Sequence, residues 1–146
     1  MLIDINEDNL ETLRVIRNEC KDFMTRSNAY VNREGQITWF NSIDKNEIKP
    51  YLFKVKDTIV GYGLIRVGDS FLLSGGLLEE FRGQGLGSYL FYSLMEKCAL
   101  LDKNKPIELE VLITNTRAYS LYRKLGFYET DRNDKIISMK REKVND

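Results

Sequence analysis

The sequence predicts an α/β fold with a mixed sheet (α+β). Short segments of alternating apolar and polar residues are typical of strands, and longer segments with apolar residues at helical spacing are typical of helices. These segments follow one another in the order β-α-α-β-β-β-α-β-α-β-β. At 146 residues the chain is long enough to bury a core, and no repeat or linker divides it. We therefore expect one domain over residues 1–146.

The N-terminal part predicts one strand and two helices. Residues 2–5 alternate and predict the strand, and Asp8 is placed to cap a helix that runs to about residue 25. Asn32 is placed to cap a second, shorter helix. The apolar residues expected on its buried face are Ile37, Trp39, Phe40 and Ile43. Residues 44–50 are polar and predict a loop.

Three consecutive strands are predicted next, over residues 51–56, 59–67 and 71–78. Tight turns at Asp57-Thr58 and Gly68-Asp69 would join them. The third segment is almost wholly apolar, which is typical of a buried central strand.

The C-terminal part begins with a helix over about residues 85–102 and a strand over 107–113. Asn115 or Thr116 would cap a further helix, which Gly126 would end as the residue after its C-cap. Residues 127–130 and 136–140 predict a closing hairpin. The charged segment 141–146 is expected to fray.

Composition excludes several functional classes. The chain has 22 basic and 22 acidic residues, so bulk charge supports neither a nucleic-acid nor a membrane partner. It has no histidine, which excludes a histidine triad, base or metal site. Cys20 and Cys98 both fall on apolar helix faces and are expected to be reduced core thiols. No metal site is expected.

The chain is expected to be cytoplasmic. No apolar run reaches the ~20 residues that a membrane span requires, and the N-terminus is too short and too weakly basic for a signal peptide.

A glycine-rich turn between the third of these strands and the helix after it predicts a phosphate site. Gly83, Gly85 and Gly87 allow positive φ and a close approach by a ligand. The first N–H groups of the following helix have no partner in the helix and favour an anion, and Arg82 adds a positive charge. The spacing fits neither the nucleoside-triphosphate loop nor the dinucleotide fingerprint. What remains is the pattern Arg82-x-x-Gly85-x-Gly87.

This pattern resembles the acyl-CoA pyrophosphate loop of the GNAT superfamily of N-acetyltransferases. A second stretch, residues 109–127, resembles the other signature of that family, in the same order and at the same separation. It carries Asn115, then Ala118-x-x-Leu121-Tyr122, then Gly126-Phe127. The resemblance covers residues 59–127. It implies a GNAT-like acyl-CoA N-acyltransferase fold, acetyl-CoA as cofactor, and acetyl transfer to a primary amine by direct attack, without a covalent acyl-enzyme.

The resemblance also implies that the backbone binds most of the cofactor. Leu77 and Leu78 would pair with the pantetheine amides like an added strand, and the Leu78 N–H would polarise the thioester carbonyl. The residues whose N–H groups would hold the pyrophosphate are Gly83, Gln84, Gly85, Leu86, Gly87 and Ser88. Asn115 would bond pantetheine where the central strands splay. Arg117 is either a phosphate contact or an exposed helix charge.

Two residues are candidates for catalysis. Tyr122 matches the tyrosine of the family signature, and a phenol with a pKa near ~10 can protonate the leaving thiolate; the alternative is core packing, which we assign to Tyr119. Glu110 is the candidate base, as in the ribosomal-protein N-acetyltransferases that this segment resembles, where a glutamate acts through water. The other carboxylates that remain open as the base are Glu79, Glu80 and Glu108.

Two other functions remain open: a non-catalytic acyl-CoA sensor on the same fold, and a nucleotide-binding protein of another fold. The acceptor is expected to contact residues 23–39 and 133–134. The segment 37–40 loosely resembles relatives that acetylate amino sugars or protein N-termini, and a small amine is the third possibility. Either a monomer or a homodimer is compatible with the sequence.

Overall fold

A computed structural model describes residues 1–142; residues 143–146, which belong to the segment expected to fray, lie outside the described residues. The strands are β1 (Leu2–Asp4), β2 (Ile48–Val55), β3 (Thr58–Val67), β4 (Phe71–Leu77), β5 (Ile107–Leu112), β6 (Tyr128–Arg132) and β7 (Ile136–Arg141). The helices are α1 (Leu10–Glu19), α2 (Arg33–Ser42), α3 (Leu86–Asp102) and α4 (Thr116–Lys124), with short 3₁₀ turns at Lys21–Phe23 and Glu79–Phe81.

Within residues 1–142 all seven strands belong to one sheet, in the order β1-β2-β3-β4-β5-β7-β6. Of the strand pairs in this part of the chain only β4–β5 is parallel, and α3 is the crossover that joins these two strands. The predicted mixed sheet and the predicted order of the elements are therefore both present. No helix within residues 1–142 is long and apolar enough to cross a membrane.

Helices cover both faces of the sheet. On one face Leu90 and Leu94 of α3 pack with Phe71 and Ile107, all at most 1% exposed. On the other face α1 packs through Leu13 against the sheet. This three-layer arrangement follows from strands that are apolar on both sides.

The sheet opens in its middle, between β4 and β5. Pairing of the two strands is limited to the register Phe71↔Ile107 to Leu73↔Leu109. Beyond it, residues 74–77 of β4 still pair with β3 but no longer with β5. Ser74 is consequently exposed although it lies on a central strand. The backbone groups on this edge of β4 are left for a ligand.

Three local predictions are wrong for identifiable reasons. Asp8 does not cap α1: Asn9 takes the N-cap position, and its side chain bonds to the N–H of Asn6 and the carbonyl of Asp4 instead of to the helix. α1 ends at Glu19, because the chain leaves through the 3₁₀ turn and then runs along the cleft described below. The turn after β2 is at Lys56, whose φ is 56°, so Thr58 already belongs to β3.

β2 begins at Ile48, inside the segment predicted to be a loop. Pro50 made that segment look irregular. The Val67 N–H donates to the Glu47 carbonyl. Because successive residues of a strand point their backbone groups to opposite edges, those of Pro50 point away from β3. The β1–β2 pairing ends at Asp4↔Tyr51, and the missing N–H of proline therefore costs no ladder bond.

Candidate active site

A cleft of about 1190 Å³ runs through the gap between β4 and β5. On one side its walls are the starts of α3 and α4. On the other side they are α1, the segment that follows it, and α2. A long ligand can therefore extend from one face of the sheet to the other through the gap.

The glycine-rich loop forms one end of this cleft, and two of its three glycines have positive φ. Gly83 and Gly85 adopt φ of 77° and 81°, and Gly85 is the N-cap of α3. A Cβ on Gly85 would meet no atom within 4 Å, so the space above the helix start is open. Gly87 serves close packing instead, because a Cβ there would lie 3.3 Å from Leu121.

The predicted cofactor residues of this loop divide into two groups. Gly83, Gly85, Gly87 and Ser88 line the cleft. The other two point their side chains elsewhere, since the Gln84 amide donates to the Glu80 carbonyl and Leu86 packs against the core. Gln84 and Leu86 can therefore contribute backbone N–H groups only.

Arg82 lines the cleft, but its guanidinium is held by the ends of β4 and α1, so its predicted contact with the cofactor stays a prediction. Its Nε donates to the Leu77 carbonyl at 3.0 Å, and an Nη reaches the Glu19 carbonyl at 3.4 Å. The guanidinium also stacks 4.9 Å from the centre of the Phe23 ring. Arg82 thus fastens the end of β4 to the end of α1. Arg117 is the cation beside the loop, since a Cβ on Gly83 would lie 3.4 Å from its Nη1.

The backbone donor at the gap is also shifted by one residue from the prediction. The Leu78 N–H donates to the Val60 carbonyl at 2.9 Å and so faces β3. Because successive N–H groups of a strand point to opposite edges, the N–H of Leu77 faces the gap. Leu77 lines the cleft, whereas Leu78 borders a small pocket behind α1. We therefore reassign the predicted carbonyl donor from Leu78 to Leu77.

Asn115 is placed where the sequence predicts it. It caps α4, its Oδ1 accepting from the Ala118 N–H at 3.3 Å, and it lines the cleft beside the gap. The cap fixes the side chain and uses only its oxygen, so the amide nitrogen remains available as a donor to a ligand.

Tyr122 is held by the way α4 ends. The Gly126 N–H bonds to the Arg123 carbonyl and the Phe127 N–H to the Tyr122 carbonyl, with Gly126 at φ 95°. This is a Schellman motif. The Tyr122 ring makes edge contacts with Phe91 and Phe127, at centroid distances of 5.0 and 6.3 Å. It is 8% exposed and lines the cleft.

Burial keeps the Tyr122 hydroxyl protonated. Removing the phenolate from water is unfavourable, and this raises the pKa of Tyr122 above its ordinary value of 10.0. Tyr119, by contrast, donates its hydroxyl to Glu129 and packs against the core, as predicted.

Glu110 approaches the gap from the opposite face of the sheet. Along β5 the buried residues alternate with partly buried ones, and Glu110 is among the latter, on the side of α1 and α2. Its carboxylate accepts from Arg26 Nε at 3.1 Å and Thr25 Oγ1 at 3.3 Å.

The rival carboxylates do not line the cleft. Glu108 accepts from Ser70 farther along β5, and Glu79 and Glu80 are exposed on the 3₁₀ turn. Of the four candidate bases, Glu110 is the one on the cleft wall.

Two polar residues of the wall were not singled out from the sequence: Gln36, which lies within the predicted segment 23–39, and Arg66, which lies outside it. Gln36 is 3% exposed, and its Nε2 has no hydrogen-bond partner among residues 1–142. Arg66 is partly buried on β3 and also lines the cleft. The signal that could have found Gln36 is its position one helical turn after Asn32, on the face that carries Trp39 and Phe40. Ile37, predicted to be buried, is 51% exposed.

Of the two segments predicted to contact the acceptor, one lines the cleft and the other does not. Many residues between positions 23 and 39 line the cleft. Positions 133 and 134 do not; Asn133 accepts from the N–H groups of Lys135 and Ile136 and so closes the β6–β7 turn. The cleft therefore gives that part of the prediction no support, and it stays a prediction.

Comparisons with known proteins agree with this geometry. The family model described as the acetyltransferase (GNAT) family matches residues 10–127. A Bacillus subtilis (strain 168) protein named as a candidate ribosomal protein bS18-alanine N-acetyltransferase is 31% identical, over 70% of this chain and 74% of that protein. An N-alpha-acetyltransferase of Sulfurisphaera tokodaii is 27% identical, over 75% and 82%.

Among solved structures, spermidine N-acetyltransferase from Vibrio cholerae in complex with CoA and spermine superposes with a TM-score of 0.83. It covers 98% of this chain and 95% of its own, and at 16% identity it shows a shared fold. The chain belongs to the acetyltransferase (GNAT) family, and the predicted fold and enzyme class, an N-acetyltransferase, are confirmed.

Proposed function

We propose that this chain, as one domain, transfers the acetyl group of acetyl-CoA directly to a primary amine. The observation that carries the proposal is the placement of Tyr122 and Glu110. They line one cleft from opposite faces of the sheet and are separated by the gap between β4 and β5. A thioester lying in that gap would have a proton donor on one side and a proton acceptor on the other.

Cofactor binding would use main-chain groups above all. The first N–H groups of α3 and the Arg117 guanidinium form a site for the pyrophosphate. Pantetheine would then add to the open edge of β4 and receive a bond from Asn115. The CoA in the complex of the Vibrio cholerae relative supports acyl-CoA as the ligand class. The residues that would hold CoA thus fit it.

The reaction has three steps in this geometry. Glu110, directly or through water, takes a proton from the ammonium form of the acceptor. The neutral amine attacks the thioester carbonyl, and the Leu77 N–H stabilises the negative oxygen that forms. The carbon–sulfur bond would then break as Tyr122 gives its proton to the leaving thiolate. The nitrogen would release its second proton to the Tyr122 phenolate through water, and Glu110 would release its proton to solvent, which leaves the amide, CoA and both residues in their starting states.

The Arg26–Glu110 ion pair does not prevent this role for Glu110. The Arg26 side chain is 62% exposed, and pairs of this kind contribute only about 0–1 kcal/mol. An incoming ammonium group can therefore replace Arg26 at small cost.

The cysteines favour direct transfer over an acyl-enzyme. Cys20 lines the cleft but is 4% exposed, and its thiol donates to the Leu77 carbonyl at 3.3 Å. Burial raises the pKa of the Cys20 thiol, so the reactive thiolate is disfavoured. Cys98 lies on the buried face of α3, in the core.

The acceptor classes are an amino sugar, a protein N-terminus or a small amine. An acceptor screen with isotopically labelled acetyl-CoA, read by mass spectrometry, tests the proposal. We expect labelled amide with at least one class and much less of it with the Tyr122→Phe variant. CoA binding without transfer to any acceptor would indicate a sensor, and tight ATP or NAD binding without CoA binding would indicate another function.

A further inference from the structure

The half of the cleft on the side of α1 and α2, which we call the acceptor chamber, carries an excess of positive charge. Its charged side chains are Arg17, Arg26, Arg66 and Glu110, and Arg82 lies at its border, against Phe23 and the end of α1. Glu110 is already paired with Arg26, and Arg17 donates to the Ala29 carbonyl. Among residues 1–142 neither Arg17 nor Arg66 has a carboxylate within 4 Å, and of the two only Arg66 also makes no side-chain hydrogen bond there.

Arg66 reaches the chamber from β3, on the face of the sheet that α1 and α2 cover. Its alternate neighbours on β3 are Leu64 and Tyr62, which also line the cleft, and Tyr62 packs with α1. The side chain is partly buried, and within residues 1–142 no carboxylate lies within 4 Å of it. Desolvation lowers the pKa of Arg66, the Arg26 charge acts in the same direction, and the Glu110 carboxylate opposes them in part. An anion bound here would offset that cost.

Gln36 supplies a second unused donor on the α2 wall of the same chamber. It is the one buried residue of α2, at 3% exposure, and its Nε2 makes no hydrogen bond within residues 1–142. A buried donor without a partner is unfavourable for stability. Its presence on the wall of a binding cleft is explained if a ligand oxygen completes its hydrogen bonds.

We propose that the acceptor is a primary amine that also carries an anionic group, a carboxylate or a phosphate, which Arg66 binds and to which Gln36 donates. This inference rests on the proposed function, because it assumes that the amine lies at Glu110. It goes further by naming the charge of the acceptor and two specificity-determining residues.

The register of the sheet gives the scale of such an acceptor. Arg66 is opposite Leu72 on β4, and Glu110 follows Leu109, which is opposite Leu73. Arg66 and Glu110 thus lie two strands apart across the sheet and about two residues apart along it. With the usual strand spacing and rise, their Cα atoms are separated by roughly 12 Å. The two side chains reach into this distance, so an amine and an anion within one small molecule or one short peptide can engage both.

Matched acceptor pairs test the inference. One pair is the dipeptide amides Ala-Glu and Ala-Gln, the other is O-phosphoethanolamine and ethanolamine, and spermidine serves as a cationic acceptor. We expect a kcat/KM that is about 10- to 100-fold higher for the anionic member of one pair, as for a charged hydrogen bond. Which pair responds distinguishes a carboxylate from a phosphate. The preference should weaken with salt.

Variants assign the preference to residues. Arg66→Gln should remove it by raising KM for the anionic member much more than for the neutral member, without a change in the affinity for acetyl-CoA. Arg66→Lys should keep part of it. Gln36→Leu should weaken binding of the anionic member without lowering the melting temperature, because its Nε2 has no partner to lose. Arg33→Gln is the control, since Arg33 is 76% exposed and pairs with Glu11 outside the cleft.

Calorimetric titration of the CoA-bound protein with the same compounds separates the two proposals. Anion-selective binding that Arg66→Gln abolishes, without acetylation of any amine, would contradict the proposed function and support the anion site. Acetylation without any preference for the anionic members, a preference for spermidine, or a preference unchanged in folded Arg66→Gln would overturn the anion site.

Discussion

The two halves of the cleft differ in the groups that they present to a ligand, which are mainly backbone groups in one half and side chains in the other. The cofactor half is the loop 82–88, the open edge of β4 and the start of α4, and it offers mainly backbone N–H groups. The acceptor chamber is made of side chains brought together from α1, α2, β3, β5 and the segment after α1. A backbone site depends on φ and ψ and tolerates most side-chain changes, whereas one substitution in the chamber alters its charge. The first half can thus persist while the second diverges.

The largest effect is expected where the halves meet. Tyr122→Phe removes only a hydroxyl, so packing against Phe91 and Phe127 should survive. Loss of a general acid should lower kcat by about 10²–10⁴-fold, with unchanged affinity for acetyl-CoA. Steady-state kinetics and calorimetry on the same preparation measure both. An unchanged kcat on a confirmed acceptor would remove Tyr122 from the chemistry.

Glu110→Gln tests the proposed base, which lies where the acceptor chamber meets the gap between β4 and β5. We expect a loss of about 10²-fold near neutral pH, partly recovered at higher pH, where more of the acceptor amine is already neutral. Glu108→Gln is the matched control, because Glu108 has the same facing on β5 but lies outside the cleft. A loss that does not change with pH would assign Glu110 to positioning.

The cofactor half was predictable because its determinants are local. Gly85 as N-cap, Asn115 as cap and Gly126 at positive φ each follow from a few neighbouring residues. Whether Leu77 or Leu78 supplies the N–H at the gap was not predictable, because this depends on the β3–β4 register. A shift of one residue in that register would point each N–H of β4 to the opposite edge of the strand. The partners of the Arg82 side chain were not predictable either, because Glu19 and Cys20 lie some 60 positions earlier in the chain.

The acceptor chamber was predictable only as a segment. A glutamine in a short helix ordinarily faces water, and the one local sign that α2 turns Gln36 inward is its place on the face that carries Trp39 and Phe40. Arg66 likewise has the appearance of an exposed strand residue until α1 and α2 cover that face of the sheet. Such contacts between distant elements have no local signature.

Gly85→Val tests whether the cofactor half depends on backbone conformation. A branched residue at φ 81° is strained by about 1–3 kcal/mol, and the loop should shift and weaken CoA binding by about 10-fold or more. Gly68→Val is the control in the β3–β4 turn, where a Cβ would meet only the Ser70 carbonyl at 3.8 Å. Equal CoA affinities in the two folded variants would count against the loop as the phosphate site.

The smallest expected effect is a shift in melting temperature. Free CoA at 100 times its Kd should stabilise the protein by about 2.7 kcal/mol, which corresponds to roughly 5 °C or more for a chain of this size. The Arg66→Gln variant should show the same shift, since Arg66 lies in the acceptor chamber. A melting curve that millimolar CoA leaves unmoved would contradict the assignment of the cofactor half.

A crystal structure of the complex with acetyl-CoA tests the central claim most directly, that the two halves meet at the gap between β4 and β5. We predict the pyrophosphate at the start of α3 beside Arg117, and the thioester oxygen within hydrogen-bond distance of the Leu77 N–H. The sulfur should lie beside the Tyr122 hydroxyl, with the acetyl group open towards Glu110. A thioester bonded to the Leu78 N–H, or one remote from both Tyr122 and Glu110, would contradict this account.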